Sequence, residues 1–168
     1  LYQHAATLQG DGATEDSLAY FRDVPDFRNY TLVELPHHAA LVGYAVDNRD
    51  YAVTIVRNFL YSSLMVLVWD QLQNSKDAQL AAIAAKSLKE VRYHLRHSRD
   101  WVVRLGDGTD ESHAKAQTAL DQWMPYCQEF WSTSPQEQAA QANGTGIDMA
   151  ALQADWNQIV DAALQEAT

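Results

Sequence analysis

Cysteine and positive charge are both scarce in this chain. Their scarcity limits the disulfides it can form and the partners it can bind. The single cysteine, Cys127, excludes an intrachain disulfide, and such sparing use of cysteine is typical of cytoplasmic proteins. Twelve lysines and arginines stand against 22 aspartates and glutamates, which gives a formal net charge of −10. Nucleic acids and anionic membrane surfaces attract basic faces, so the composition predicts neither as a partner.

Long apolar runs are absent too. No stretch reaches the roughly 18 uncharged apolar residues of a membrane span, and the nearest candidate, residues 58–69, is too short. The opening residues lack the basic start and apolar run of a signal peptide. The chain begins with leucine, and residues 1–8 have the character of a helix end. We therefore expect that a first helix upstream is missing.

The motifs of several enzyme classes are missing as well. There is no Gly-x-Ser-x-Gly nucleophile elbow and no glycine-rich phosphate loop, and Gly106 and Gly108 fit helix capping better than nucleotide binding. Apolar residues make up 47% of the 168 residues and charged residues 20%. That balance predicts one globular domain spanning residues 1–168.

Helical periodicity dominates what is present, and no strand pattern exceeds a few residues. Cap residues such as Thr14, Asp77 and Thr109 precede the helical stretches, and Gly106 is expected as a C-cap. Long helices with short links predict an all-α antiparallel bundle. The predicted helices cover residues 14–22, 47–72, 77–105, 110–131 and 148–167.

One predicted helix carries a candidate metal-binding face. Glu90, His94 and His97 are spaced three and four residues apart, so the carboxylate and the two imidazoles are expected to point the same way. Di-iron bundles take carboxylates and histidines from four helices, two of which carry Glu-x-x-His. Here Tyr93 stands at the histidine position of that motif.

The neighbouring helix argues against a metal. Residues 51–69 contain no carboxylate or imidazole, and apart from tyrosines their only ionisable side chain is Arg57. A guanidinium near the bundle axis repels a dication and suits a buried ion pair. The sequence therefore predicts no metal ligands and no catalytic residue, but a buried polar network of Arg57, Glu90 and His94.

Three other features allow simpler structural explanations. Cys127 lies among aromatic residues and is expected to be a buried structural thiol. His113 is expected at the surface. The segment 22–29 and the preceding Phe21 combine two arginines and two aromatic residues, Phe21 and Phe27, around Pro25. This suits either a phosphorylated, ring-bearing ligand or a loop packed on the bundle end.

Four stretches of the chain resemble a known family. They are LVELP at residues 32–36, TIVRN at 54–58, QLAAIAAKSLKEVRYHLRHSRDW at 79–101 and VRLGDGTD at 103–110. The long third stretch, followed so closely by the fourth, is specific. On these residues the chain is similar to the C subunits of bacterial phenylacetyl-CoA epoxidases, the multicomponent enzymes that oxygenate the ring during phenylacetate degradation.

The resemblance implies a ferritin-like helical fold and a non-catalytic role. It implies a partner, the catalytic A subunit, that holds the di-iron centre and epoxidises phenylacetyl-CoA, with electrons from an E-type reductase. It also implies self-association within the complex, and substrate contact through Phe27 and Asn29. Residues 37–46 look like an insertion relative to this family.

Two alternatives remain open at this point. The chain could be a self-sufficient di-iron carboxylate oxygenase, if further ligands come from outside these residues. It could equally be a stand-alone helical homodimer without an oxygenase partner. Iron content and co-purification separate these alternatives from the non-catalytic role.

Overall fold

A computed structural model of the chain describes residues 1–21, 30–33 and 50–167, and this part contains helices and turns but no strand. It confirms the all-α class. Two 3₁₀ segments, Met124–Trp131 and Ala150–Leu152, accompany the α-helices. Within these residues the α-helices are α1 Tyr2–Gln9, α2 Glu15–Ala19, α3 Tyr51–Leu72, α4 Ala78–Gly106, α5 Asp110–Trp123, α6 Pro135–Asn143 and α7 Gln153–Glu166.

Helix α3 forms the centre of the bundle. It packs most extensively against α4, its antiparallel neighbour across a short link, and also against α5 and α7. Burying a large apolar side chain stabilises a fold by about 1.5–3 kcal/mol, so this packing holds the bundle together. The arrangement is the ferritin-like bundle expected from the sequence. Core side chains that are at most 2% exposed include Ile55, Val56, Phe59, Leu60, Leu64, Trp123, Phe130 and Val160.

The central position of α3 explains its composition. Its 22 residues include an 18-residue window with a mean hydropathy of 1.5, so length and apolarity alone would allow it to cross a membrane. The sequence-based count had placed the chain below that limit. Within the bundle 44% of that window is buried, and core helices of soluble proteins pass the same test.

Side-chain caps fix where the helices begin. Thr14 forms a capping box with Ser17 at the start of α2, and Thr109 accepts a hydrogen bond from the Ser112 backbone at the start of α5. Helix α3 begins at Tyr51, four residues later than predicted. Asp50 has extended backbone geometry and its side chain accepts from Ala52 N, which makes Asp50 the N-cap.

Two helix ends differ from the sequence prediction. Gly106 is the last residue of α4 and not its C-cap. A Cβ at this position would lie 2.3 Å from the carbonyl oxygen of Ala167, so glycine permits the close approach of the C-terminal residues. The predicted helix over 110–131 changes to a 3₁₀ segment after Trp123, because Pro125 lacks an N–H and its ring clashes with the preceding turn.

Helix α1 is tied to the start of α4 by one polar contact. The Oδ2 atom of Asp77 lies 2.6 Å from His4 Nε2, while Oδ1 accepts from the backbone N–H groups of Gln79 and Leu80 at 3.0 Å each. The Leu80 bond, followed by the His4 contact, holds the pKa of the Asp77 carboxyl below its ordinary value. One carboxylate therefore caps α4 and anchors α1.

This geometry predicts acid sensitivity at Asp77. A carboxyl with a lowered folded-state pKa stabilises the fold above its unfolded pKa of about 4 and loses that contribution as the pH falls through the folded value. We expect the difference in melting temperature between the wild type and Asp77→Asn to be constant from pH 6 to about pH 4 and to shrink below it. Asp161→Asn, at an exposed site on α7, is the matched control and should show no such trend.

Candidate functional site

The residues predicted to form a buried network do not form one. Glu90 and His94 are exposed on α4, and only Arg57 is half-buried. Within the described part of the chain no hydrogen bond or ion pair joins Arg57 to Glu90. The prediction of a buried Arg57–Glu90–His94 network was wrong for these residues.

The rotation of α4 about its own axis explains why the predicted network is not buried. The side of α4 that faces the core is centred near Ala84 and Val102, which are 0% and 4% exposed. At 3.6 residues per turn, Glu90 is rotated about 120° from that centre and His94 about 80°. Spacing between ionisable residues shows that they share a face, but only the apolar residues show which face is buried.

Arg57 remains the unusual charge on α3. Burial lowers the pKa of its guanidinium, and no described carboxylate contributes to that shift. A half-buried cation is costly unless a hydrogen-bonding or acidic partner compensates for the lost water. Arg57 therefore marks the flank of α3 that is open in the described part of the chain.

A groove of about 340 Å³ runs between α3 and α4 on this open side. Burial raises the pKa of the Tyr61 phenol in its wall, so the hydroxyl stays a neutral hydrogen-bond donor. The ring of Tyr93 stacks on His97 with centroids 6.2 Å apart. The groove offers hydroxyl, amide and imidazole groups beside apolar ones. Its lining residues are Asn58, Tyr61, Ser62, Met65, Val91, His94, His97 and Ser98.

The donors of this groove do not suit a dinuclear metal centre. His94 and His97 come from α4 alone, and α3 faces them with Asn58, Tyr61 and Met65. Among the residues that the structure describes, no group of three or more histidine, cysteine, aspartate or glutamate side chains is close enough to hold a metal ion. A di-iron site needs carboxylates and histidines from several helices. The residues present therefore do not fit such a group.

A second feature lies where residues 30–33 dock on the Met124–Trp131 segment. The carboxylate of Glu129 accepts from Thr31 N at 2.8 Å and from Thr31 Oγ1 at 2.6 Å. Leu32 is 0% exposed, and the Tyr30 ring meets Phe130 edge-on at 5.1 Å. We call the Thr31–Glu129 contact the carboxylate clamp.

The carboxylate clamp was not predicted from the sequence. Thr31 immediately precedes the 32–36 motif, which was the available signal, but nothing in the sequence pairs it with Glu129, 98 positions away. The clamp is two residues from Asn29. The predicted substrate contacts Phe27 and Asn29 and the insertion at 37–46 lie outside the described residues.

Two sequence interpretations are confirmed by the structure. Cys127 is 1% exposed, and burial, with the nearby Glu129 charge, raises the pKa of its thiol to about 12. Such a thiol is unreactive near neutral pH. His113 is exposed on α5, where its Nδ1 atom lies 2.8 Å from the carbonyl oxygen of Gly106.

Comparisons with known proteins identify the family of the chain. The sequence pattern of the family described as phenylacetic acid catabolic protein matches residues 1–168. The chain belongs to this family. It is also 39% identical, over 165 residues, to the C subunit of 1,2-phenylacetyl-CoA epoxidase from Escherichia coli (strain K12). That alignment covers 98% of this chain and 62% of the relative, so the chain spans somewhat less than two thirds of the relative's length.

The match to the phenylacetic acid catabolic protein family covers both the α3–α4 groove and the carboxylate clamp. The matched range includes the α3–α4 hairpin with its groove and the segment docked by the carboxylate clamp. The relative's name describes it as one subunit of an epoxidase, which implies that it works with other subunits.

Proposed function

We propose that this chain is the helical body of a non-catalytic subunit of phenylacetyl-CoA epoxidase, acting in aerobic phenylacetate catabolism in the cytoplasm. It scaffolds the di-iron catalytic A subunit and helps to shape the acyl-CoA site, with no nucleic acid or membrane as a partner. The observation that carries the proposal is the 39% identity to the C subunit of an epoxidase over 98% of the chain.

The distribution of side chains on α3 and α4 supports a non-catalytic role. Oxygen activation at a di-iron centre requires ligands converging from several helices. Here the imidazoles of the groove come from α4 alone, while Arg57 on α3 carries a charge that repels metal ions. We place the di-iron centre that supplies the oxygenation chemistry in the partner subunit.

In this proposal the chain itself holds the partner subunit and positions the substrate. The α3–α4 groove presents Tyr61, His94 and His97 to a partner surface, where aromatic and hydrogen-bonding groups make effective interface anchors. The carboxylate clamp fixes one end of the segment that leads to Phe27 and Asn29, the proposed acyl-CoA contacts. A substrate thioester held by both subunits would be oriented toward the partner's metal centre.

Size-exclusion chromatography with iron analysis tests this proposal on the natural protein, alone and co-expressed with the catalytic A subunit. We expect the two proteins to elute together, with iron in that complex and none at stoichiometric levels in the chain alone. About two iron atoms per isolated chain would instead establish a self-sufficient di-iron oxygenase. A homodimer that never elutes with the A subunit would establish a stand-alone protein.

A further inference from the structure

A second cavity, of about 150 Å³, lies where four helices meet on the side of the bundle near the end of α4. Its floor and walls are apolar, and the α3 residues Val56 and Phe59 are 2% and 0% exposed. The exposed residues His113 and Gln117 on α5 form its rim. The remaining lining residues are Val102, Gly106, Ala116, Leu120, Leu164 and Ala167.

Both polar rim side chains already have a hydrogen-bond partner. His113 Nδ1 donates to the carbonyl oxygen of Gly106 at 2.8 Å, at the end of α4. The Gln117 amide nitrogen donates to Asp121 Oδ1 at 2.7 Å, and Asp121 does not line the cavity. These bonds hold the two polar groups at the mouth.

The interior therefore offers little to water. Within residues 1–21, 30–33 and 50–167, the buried side-chain nitrogen or oxygen atom without a hydrogen-bond partner is Trp123 Nε1, and Trp123 is not in the cavity wall. A cavity holds water only where two to four polar partners are available. An engineered apolar cavity of about 150 Å³ in another protein stays dry and binds benzene or xenon.

We infer that this cavity is a binding site for a small apolar molecule without polar substituents, of the size of a single aromatic ring, which enters between His113 and Gln117. The inference rests on the packing of α3, α4, α5 and α7 and does not depend on the proposed function. A small side chain helps to create the space, since Ala116 stands in the wall where a larger residue would fill it.

Thermal unfolding of the natural protein in the presence of benzene tests the inference. At ten times its dissociation constant, benzene should raise the melting temperature by about 3–5 °C, because it binds the folded state alone. Phenol at the same concentration should give a smaller shift, because burying its hydroxyl against the apolar walls costs free energy. A wild-type protein that benzene does not stabilise would overturn the inference.

Variants that fill the cavity with a larger side chain provide the comparison with the wild type. Ala116→Leu adds three carbon atoms to the wall and should abolish the benzene shift, with Ala116→Val as a smaller change if leucine prevents folding. Ala85→Leu makes the same change at an exposed position on α4 and should leave the shift intact. Equal shifts in the wild type and in both Ala116 variants would show that benzene binds elsewhere and would contradict the assignment.

Discussion

Replacing Phe130 by alanine is expected to lower the free energy of unfolding by about 3–5 kcal/mol. Phe130 is 0% exposed and is the hub of an aromatic cluster. Its ring meets those of Tyr30, Trp131 and Trp156 edge-on, with centroids 5.1, 5.8 and 6.0 Å away. Truncation removes the buried area and these edge contacts, and it leaves a cavity that a packed core cannot close. Urea unfolding followed by circular dichroism measures the loss.

Phe21→Ala is the matched control for this change. Phe21 is 80% exposed, so the same truncation should change the unfolding free energy by no more than about 0.5 kcal/mol. Phe130→Leu keeps most of the volume and should fall between the two variants. If Phe130→Ala cost no more than Phe21→Ala, the aromatic cluster could not be what joins residues 30–33 and α7 to the Met124–Trp131 segment.

The parts of the fold that could be predicted from sequence are those encoded locally. Thr14, Asp77 and Thr109 were recognised as caps because a short polar side chain before an apolar repeat satisfies free backbone N–H groups. Asp148 was expected to cap the last helix; its side chain accepts from Ala150 N and Ala151 N, but a 3₁₀ segment follows it and α7 begins only at Gln153. The burial of Cys127 followed from its aromatic surroundings. Each of these signals needs only a few neighbouring residues.

Helix boundaries were predicted wrongly where a factor other than hydrophobic periodicity decided the backbone conformation. The apolar pattern continues through Trp131, yet Pro125 changes the backbone from α-helix to 3₁₀ after Trp123. Asp47 and Asp50 are both acceptable caps by composition. Asp50 has the extended backbone geometry of an N-cap, so α3 starts at Tyr51.

The candidate site was harder to predict because its contacts are non-local. Glu90 and His94 were correctly placed on one helix, but their exposure depends on how α4 rotates against α3, which their mutual spacing does not reveal. The carboxylate clamp joins positions 98 residues apart, and no local pattern encodes such a pair. The Thr31–Glu129 bonds are therefore a structural finding, and mutagenesis can measure their strength.

Glu129→Ala is expected to lower the unfolding free energy by about 2 kcal/mol, because both the backbone N–H and the hydroxyl of Thr31 lose a charged acceptor. Thr31→Val removes the hydroxyl bond and keeps the backbone bond, so about 1 kcal/mol is expected. A double-mutant cycle of these two changes, followed by urea unfolding, should give a coupling energy of about 1 kcal/mol. Additive effects would mean that the hydroxyl bond contributes nothing.

Glu166→Ala provides the surface control, since Glu166 pairs with Arg99 at an exposed site and should cost less than about 1 kcal/mol. The clamp also makes a functional prediction that rests on the proposed epoxidase role. In the co-expressed complex, Glu129→Ala should raise the KM for phenylacetyl-CoA more than it lowers kcat, because a loosened segment weakens substrate positioning while the partner's metal centre is untouched. An unchanged KM in a measurably destabilised variant would restrict the clamp to folding and would separate the stability of residues 30–33 from substrate binding.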